Sequence, residues 1–338
     1  MKALFIGGTG TISMAITRQL ADRQDWELYL LNRGNRASDV PAGVHFILAD
    51  ISDEDDCREK LKDLQFDVVC DFIAFTKEQV ERDYRLFNDK TKQYIFISSA
   101  SAYQKPLSSA VITESTPLAN PYWEYSRNKI ACEEFLMSKY REHQFPVTIV
   151  RPSHTYDERK VPLGVHGDHG SWQIIKRMLE SKPVIIHGDG TSLWTMTHNT
   201  DFAKGFIGLM GNIHAIGEAF QITSDESLTW NQIYQTIADA LGVELHAYHV
   251  TSDFLAATGK YDLTGSLIGD KANSVIFDNT KLKRAVPEFV ATTRFDQGIR
   301  KSIDYILSHP ECQTEDPEFD SWCDGIINAL EQAKLLRV

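Results

Sequence analysis

A chain of 338 residues is long enough for a large nucleotide-type domain with a smaller one appended. Its 35 Lys and Arg against 47 Asp and Glu give a net charge of −12, scattered along the chain, which argues against nucleic acid or an anionic membrane as the main partner. Five cysteines without a C-x-x-C pair exclude a disulfide framework or zinc ribbon; the N-terminal apolar run is too short for a secretion signal, no segment nears eighteen uninterrupted apolar residues, and a cytoplasmic protein is expected.

Through the first half, short β-rich apolar runs alternate with helical patterns. Residues 3–6, 28–31, 44–48, 68–70, 94–97 and 147–150 predict strands, and 13–23, 52–64, 77–87 and 124–140 predict helices. Such alternation implies parallel strands joined by right-handed helical crossovers, hence an α/β doubly wound parallel sheet of the Rossmann kind. Residues 153–170, rich in His, Gly, Asp and Pro and without a period, predict a functional loop. Helices near 172–179, from 201, and at 230–241, 295–307 and 319–335 follow, with strands at 184–186 and 219–222. Residues 1–152 are the expected dinucleotide-binding domain, with about 188–215 returning to it. Residues 153–338 mainly form a smaller α+β substrate domain.

Directly after the first strand stands Gly7-Gly8-Thr9-Gly10-Thr11-Ile12-Ser13, a G-x-x-G-x-x-S turn at a strand-to-helix junction. Gly7 allows the tight turn, and Gly10 lets backbone amides approach a pyrophosphate at the positive helix end. Ser13 replaces the third glycine, a departure that loosens the motif. The second strand ends in Asn32-Arg33-Gly34-Asn35-Arg36, where the carboxylate that would hold a ribose 2′-hydroxyl is missing. Two arginines there suit a 2′-phosphate, placing NADP ahead of NAD, with a solvated surface pair as the alternative. Asp50 is placed either to accept from an adenine amino group or to cap the following helix.

The fifth strand runs into Ser98-Ser99-Ala100-Ser101-Ala102-Tyr103, delivering hydroxyls to the carboxyl edge of the sheet. Tyr125-Ser126-Arg127-Asn128-Lys129 puts Tyr and Lys one helical turn apart. Carbonyl/alcohol redox chemistry moves a proton with a hydride, and an unaided phenol is a poor base at neutral pH. A nearby ammonium favours the phenolate. Ser99 can hold the substrate oxygen, Tyr125 can exchange its proton, and Lys129 can assist Tyr125 and bind the nicotinamide ribose.

These residues resemble the extended short-chain dehydrogenase/reductase family, in particular its NAD-dependent epimerase/dehydratase branch. The resemblance extends over the glycine turn, Phe66-Asp67-Val68-Val69-Cys70-Asp71-Phe72-Ile73-Ala74, the Ser-Ser…Tyr run, the Tyr-x-x-x-Lys, Arg151-Pro152, and Gly188-Asp189-Gly190…His198-Asn199-Thr200-Asp201. It selects Ser99, four before Tyr103, as the catalytic hydroxyl. It implies cofactor contacts from Gly7, Thr9, Gly10, Thr11 and Ile12, and from Asn32, Arg33, Asp50 and Ile51. It implies further contacts from Ile73, Ala74, Ser98, Tyr125, Lys129, Pro152 and His154, with substrate contacts from Ser99, Ser101, His166 and Trp194. Homodimerisation through residues 124–140 is the family's habit.

The chain departs from its branch in three places. The 4,6-dehydratases follow the catalytic hydroxyl with Asp-Glu, and GDP-fucose-synthase-like enzymes place a cysteine there; this chain has Ala100 and Ser101. UDP-sugar epimerases carry an arginine four residues before the position of His198, and here Trp194 stands, able to stack on a sugar or simply pack. His154, Asp157, His166, Asp168, His169 and His187 lack metal-site spacing, so no metal is expected. The expected function is an NAD(P)-dependent epimerase or reductase acting on a sugar or related polyol through a keto intermediate. The alternative is a non-catalytic NAD(P)-binding regulator or an RNA-binding relative of the same fold.

Overall fold

The computed structural model describes residues 1–34 and 39–335. Met1–Thr155, Thr197–Asp225 and Phe277–Thr292 form one compact unit. Its sheet contains β1 (Lys2–Ile6), β2 (Glu27–Asn32), β3 (His45–Leu48), β4 (Val68–Asp71), β5 (Tyr94–Ile97), β6 (Val147–Pro152) and β7 (Ala219–Ile222), in the order β7-β6-β5-β4-β1-β2-β3. Every pairing is parallel. The order reverses between β1 and β4, and Ile6 lies in register with both Leu31 and Asp71. The carboxyl ends of three strands therefore open at one point, where ligands of such sheets bind.

Both faces of the sheet are covered, so its strands need apolar residues on both sides and show no polar alternation. Along β1, Ala3 and Phe5 face one layer and Leu4 and Ile6 the other, all fully buried. α1 (Ser13–Ala21) packs Ala15, Ile16 and Leu20 on the first face, as does α5 (Asn199–Leu209) with Phe202, Phe206 and Leu209. The second face receives Cys57 and Leu61 of α2 (Glu54–Leu61), Val80, Leu86 and Phe87 of α3 (Lys77–Phe87), and Cys132 and Leu136 of α4 (Glu124–His143). Each buried Val, Leu, Ile or Phe among these contributes roughly 1.5–3 kcal/mol of burial free energy.

Several boundaries differ from the sequence expectation. α2 starts at Glu54 rather than 52, because Asp53 caps it by accepting from the Asp56 amide at 3.0 Å. Asp50 is not the cap; it accepts from the Ser52 amide and hydroxyl at 2.9 and 2.7 Å. The return to this unit is Thr197–Asp225 rather than 188–215, since β7 lies beyond 215, and Phe277–Thr292 is a second return. Residues 153–170 contain a short strand, His154–Tyr156.

The second unit comprises Tyr156–Met196, Glu226–Ile276 and the residues from Thr293 onward. It holds the helices Trp172–Leu179, Trp230–Leu241, Phe295–Ser308 and Pro317–Leu335, plus an eight-residue π-helix, Thr264–Lys271. Val184–His187 pairs parallel with Ala247–Val250. Arg177, with a fully buried side chain, ties this unit together by reaching Asp320 at 2.6 Å and Asp324 at 2.7 Å.

The turn after β1 shows why glycine stands there. Gly7 has φ +84°, and a Cβ on it would lie 2.4 Å from the Ile73 methyl group. Ser13 compensates for the missing third glycine: its hydroxyl donates to the Gly7 carbonyl and accepts from the Gly10 amide, both at 2.9 Å. Gly43 has a similar φ of +87° but nothing within 4 Å of a Cβ. Gly43→Ala is thus expected to cost only the left-handed backbone penalty, about 1–2 kcal/mol, in urea unfolding. Gly7→Ala is expected to cost clearly more, and equal losses would contradict the close-contact account.

Candidate active site

The carboxyl edge of the first unit's sheet gathers most of the residues singled out by sequence. A cleft of about 580 Å³ is lined by Gly7, Thr9 and Gly10 from the turn, Asn32 and Arg33 after β2, Asp50 and Ile51 after β3, and Ile73 after β4. Ser52, Gln79 and Arg82 also line it, and sequence reasoning missed them. Arg82 is six residues inside α3, so only the packing of that helix on the sheet brings it to the cleft. Arg36 lies outside the described residues.

The cleft fits a dinucleotide on two counts. Ile12 at the N-cap of α1 supplies no side-chain cap, so the cap residue itself covers none of the amides at the positive end of that helix. At Gly10, a Cβ would meet nothing nearer than Ser13 Oγ at 3.6 Å, so the fold itself does not demand glycine there. A bare backbone at the mouth of the cleft is what close approach of a pyrophosphate requires. Arg33 and Arg82 both draw the Asp50 carboxyl below its ordinary range, after the larger effect of its Ser52 hydrogen bonds.

Next to the cleft, α4 places Lys129 beneath its own first turn. Its ammonium donates to the Ala74 carbonyl at 2.6 Å and the Ile97 carbonyl at 2.8 Å, bridging the segment after β4 and the end of β5. Phe75, Phe96 and Tyr125 present ring faces to it at 4.6, 4.8 and 5.8 Å. Lys129 is 2 % exposed, and burial pulls it down from its ordinary value to about 8, with Asp71 acting in the opposite direction. Tyr125 is half-buried, its ring between Trp123 at 5.0 Å and Phe75 at 6.3 Å.

The three serines after β5 have separate fates. Ser98 is buried and donates to Glu133, which also holds Arg151 through two contacts of 2.9 and 2.6 Å. Ser101 is also buried; its Oγ lies 2.9 Å from Ser99 Oγ and accepts from Ser126 at 2.8 Å, while Asn120 donates to its carbonyl. Ser101, expected to meet the substrate, thus lies behind Ser99 in a chain of hydroxyls. Ser99 itself is half-buried. Pro152 ends β6, and His154 follows in the short strand.

The remaining substrate candidates lie in the second unit. Trp194 is 3 % exposed and packs on Trp230 with ring centroids 5.7 Å apart, which leaves little of its indole open. His166 is exposed, with its Nδ1 2.8 Å from the Gly167 carbonyl oxygen. Among the described residues no three His, Cys, Asp or Glu side chains are arranged to hold a metal, and no helix is long and apolar enough to cross a membrane.

Residues 3–223 match the model of the NAD dependent epimerase/dehydratase family, well over half the chain. Among curated relatives, 2'-dehydrokanamycin reductase of Streptomyces kanamyceticus is 22% identical over 272 residues, covering 78% of this chain and 76% of the relative. The chloroplast stem-loop binding protein of 41 kDa b of Arabidopsis thaliana is 25% identical over 254 residues, 71% of this chain and 63% of the relative. Among solved structures, UDP-glucuronic acid 4-epimerase from Bacillus cereus, in complex with UDP-glucuronic acid and NAD, superposes with a TM-score of 0.73 at 20% identity. It covers 91% of this chain and 99% of its own. The dTDP-glucose 4,6-dehydratase of Bacillus anthracis, in complex with NAD, gives 0.71 at 18% identity over 92% and 98%. At these identities the likeness establishes the shared fold.

Lys129 makes stability depend on pH with a definite sign. Between about 8 and 10.5 the unfolded chain keeps a proton on this lysine that the fold has released, so stability rises with pH there. The cost of burying the charge is present in full below about pH 8. Wild type compared with Lys129→Met in urea unfolding is expected to gain up to roughly 3 kcal/mol across that window. A difference that stays flat with pH would contradict the burial of a depressed ammonium.

Proposed function

The chain belongs to the NAD dependent epimerase/dehydratase family, of the extended short-chain dehydrogenase/reductase type, and on that premise we propose that it interconverts an alcohol and a ketone on a sugar or related polyol, as a reductase or epimerase working through a keto intermediate. The observation that carries this reading is the buried Lys129 ammonium, fixed by two carbonyls one helical turn beyond Tyr125. A bound nicotinamide supplies or accepts the hydride. Ser99 holds the substrate oxygen, and Tyr125 gives that oxygen its proton in reduction or takes it in oxidation. Lys129 favours the charged form of Tyr125 and binds the nicotinamide ribose. The amides of Thr11 and Ile12, where the turn enters α1, receive the pyrophosphate.

At the adenosine end the proposed preference is NADP over NAD. Arg33 and Arg82 stand at the cleft where no carboxylate follows β2 to accept from a ribose 2′-hydroxyl. A keto sugar without a nucleotide diphosphate suits the chain better than a sugar nucleotide, since Trp194 replaces a phosphate-gripping arginine. 2'-Dehydrokanamycin reductase is among the relatives, which supports a reductase reading. The similarity to a stem-loop binding protein favours a second reading, an RNA-binding relative. Against it stand the Ser99, Tyr125 and Lys129 set and the net charge of −12.

Nucleotide-free protein titrated with NAD, NADH, NADP and NADPH, followed by tryptophan fluorescence, is expected to bind NADPH most tightly. Arg33→Ala should cut the NADPH-over-NADH ratio by about tenfold or more, the worth of one charge-assisted contact. Equal affinity for the two reduced forms would overturn the NADP preference. Failure to bind any of the four would overturn the oxidoreductase reading.

A further inference from the structure

Beneath the segment that meets Lys129 lies a cluster of acidic groups with no evident part in binding. Asp71 ends β4, Asp83 sits in α3 and Tyr94 begins β5, and all three are 0 % exposed. Tyr94 Oη is 3.0 Å from Asp71 Oδ2 and 3.3 Å from Asp83 Oδ2. A phenol has one hydrogen and can satisfy only one of them. Arg82 contacts Asp83 at 2.7 Å, while the other oxygen of Asp71 accepts from the amides of Ile73 and Ala74 at 2.9 and 3.0 Å. Two carboxylates thus converge out of water on one phenol, with a single cation in contact among the described residues. Like charges so placed cannot both remain ionised.

We infer that Asp71 and Asp83 share one proton across this contact, and that the resulting singly charged cluster is the positioning element for Lys129. The coupling runs through the backbone. Asp71 pins the Ile73 and Ala74 amides, and Ala74 turns its carbonyl to the Lys129 ammonium. The proton resides mainly on Asp83: burial and the nearby Asp71 both push its carboxyl well above the usual range, against the opposing pull of Arg82. Asp71, on the side towards Lys129, acts to favour its ammonium. Among the other titratable groups facing the cluster, Cys70, Cys132 and Tyr94 remain neutral, since burial raises their thiols and phenol, while Glu133, paired with Arg151, also favours the Lys129 ammonium and is common to every variant compared below. One proton between the two carboxyl groups leaves the cluster a single negative charge near Lys129.

The part concerning Lys129 rests on the proposed function; the shared proton does not. Infrared spectra of the full-length protein at neutral pH are expected to contain a protonated-carboxyl C=O band that moves on carbon-13 aspartate labelling and disappears in Asp83→Asn. Lys129 is read through NADPH affinity followed from neutral to alkaline pH, where loss of its proton weakens binding. Asp83→Asn leaves the charge on Asp71 and is expected to keep the wild-type midpoint. Asp71→Asn moves the charge to Asp83 beside Arg82 and is expected to lower the midpoint. Should Asp83→Asn fail to fold, the band is read in Tyr94→Phe, where it must persist at a shifted frequency. Absence of the band in wild type overturns the shared proton, and equal midpoint shifts in the two Asn variants overturn the positioning role. No NADPH binding with the band intact would instead count against the proposed function and against the positioning claim built on it, leaving the proton pair standing.

Discussion

The arrangement of the first unit turns on holding one ammonium out of water. Lys129 carries its charge into a site that is 2 % exposed, and two backbone carbonyls replace the water it has lost. Those carbonyls belong to different strands' ends, Ala74 after β4 and Ile97 on β5. They meet only because β4 and β5 are hydrogen-bonded neighbours in parallel register. The helix carrying Lys129 must in turn pack on the face that holds Val80, Phe87 and Phe96. A charge so placed demands compensation, since an unpaired buried ion is far costlier than a buried pair. Asp71, two carbonyls and three aromatic faces supply it.

That constraint organises the chemistry around it. With Lys129 fixed, Tyr125 lies one turn earlier on α4 at the carboxyl edge of the sheet, and Ser99 follows directly from β5. Behind them a second buried pair, Glu133 with Arg151, holds Ser98 and so anchors the strand end from which Ser99 projects. Ser126 and Ser101 extend a chain of hydroxyls to Ser99. No acid–base pair follows Ser99, where Ala100 and Ser101 stand. Proton exchange at a single oxygen suits this set better than loss of water.

Much of this was legible in the sequence because the signals were local. The strand at Tyr94–Ile97 and the helices Trp172–Leu179 and Trp230–Leu241 have the expected ends, since each is a clean apolar run or period bounded by polar breaks. The Gly7–Ser13 turn and the Tyr125–Lys129 spacing also sit within a few residues. What escaped depends on contacts distant in sequence. Arg82 reaches the cleft only through the docking of α3, and Asp71, Asp83 and Tyr94 converge from three elements. Trp194 carried no local mark that would separate a buried indole from a sugar-stacking one. Ser13 was read as a weakened glycine, although its hydroxyl stitches the turn. Glu133 was the one overlooked residue with a local signal, lying four after Lys129 on the same helix face.

The most direct test of the account is turnover. Wild type, Tyr125→Phe and Lys129→Met would be compared on a panel of keto sugars and polyols, following NADPH absorbance, with NADPH affinity measured alongside. The account requires that a substrate turned over by wild type lose about 10²- to 10⁴-fold in kcat in Tyr125→Phe, with NADPH affinity unchanged, because only the proton transfer is removed. Lys129→Met should lose both turnover and affinity. Turnover that survives Tyr125→Phe undiminished would contradict the assignment of this site.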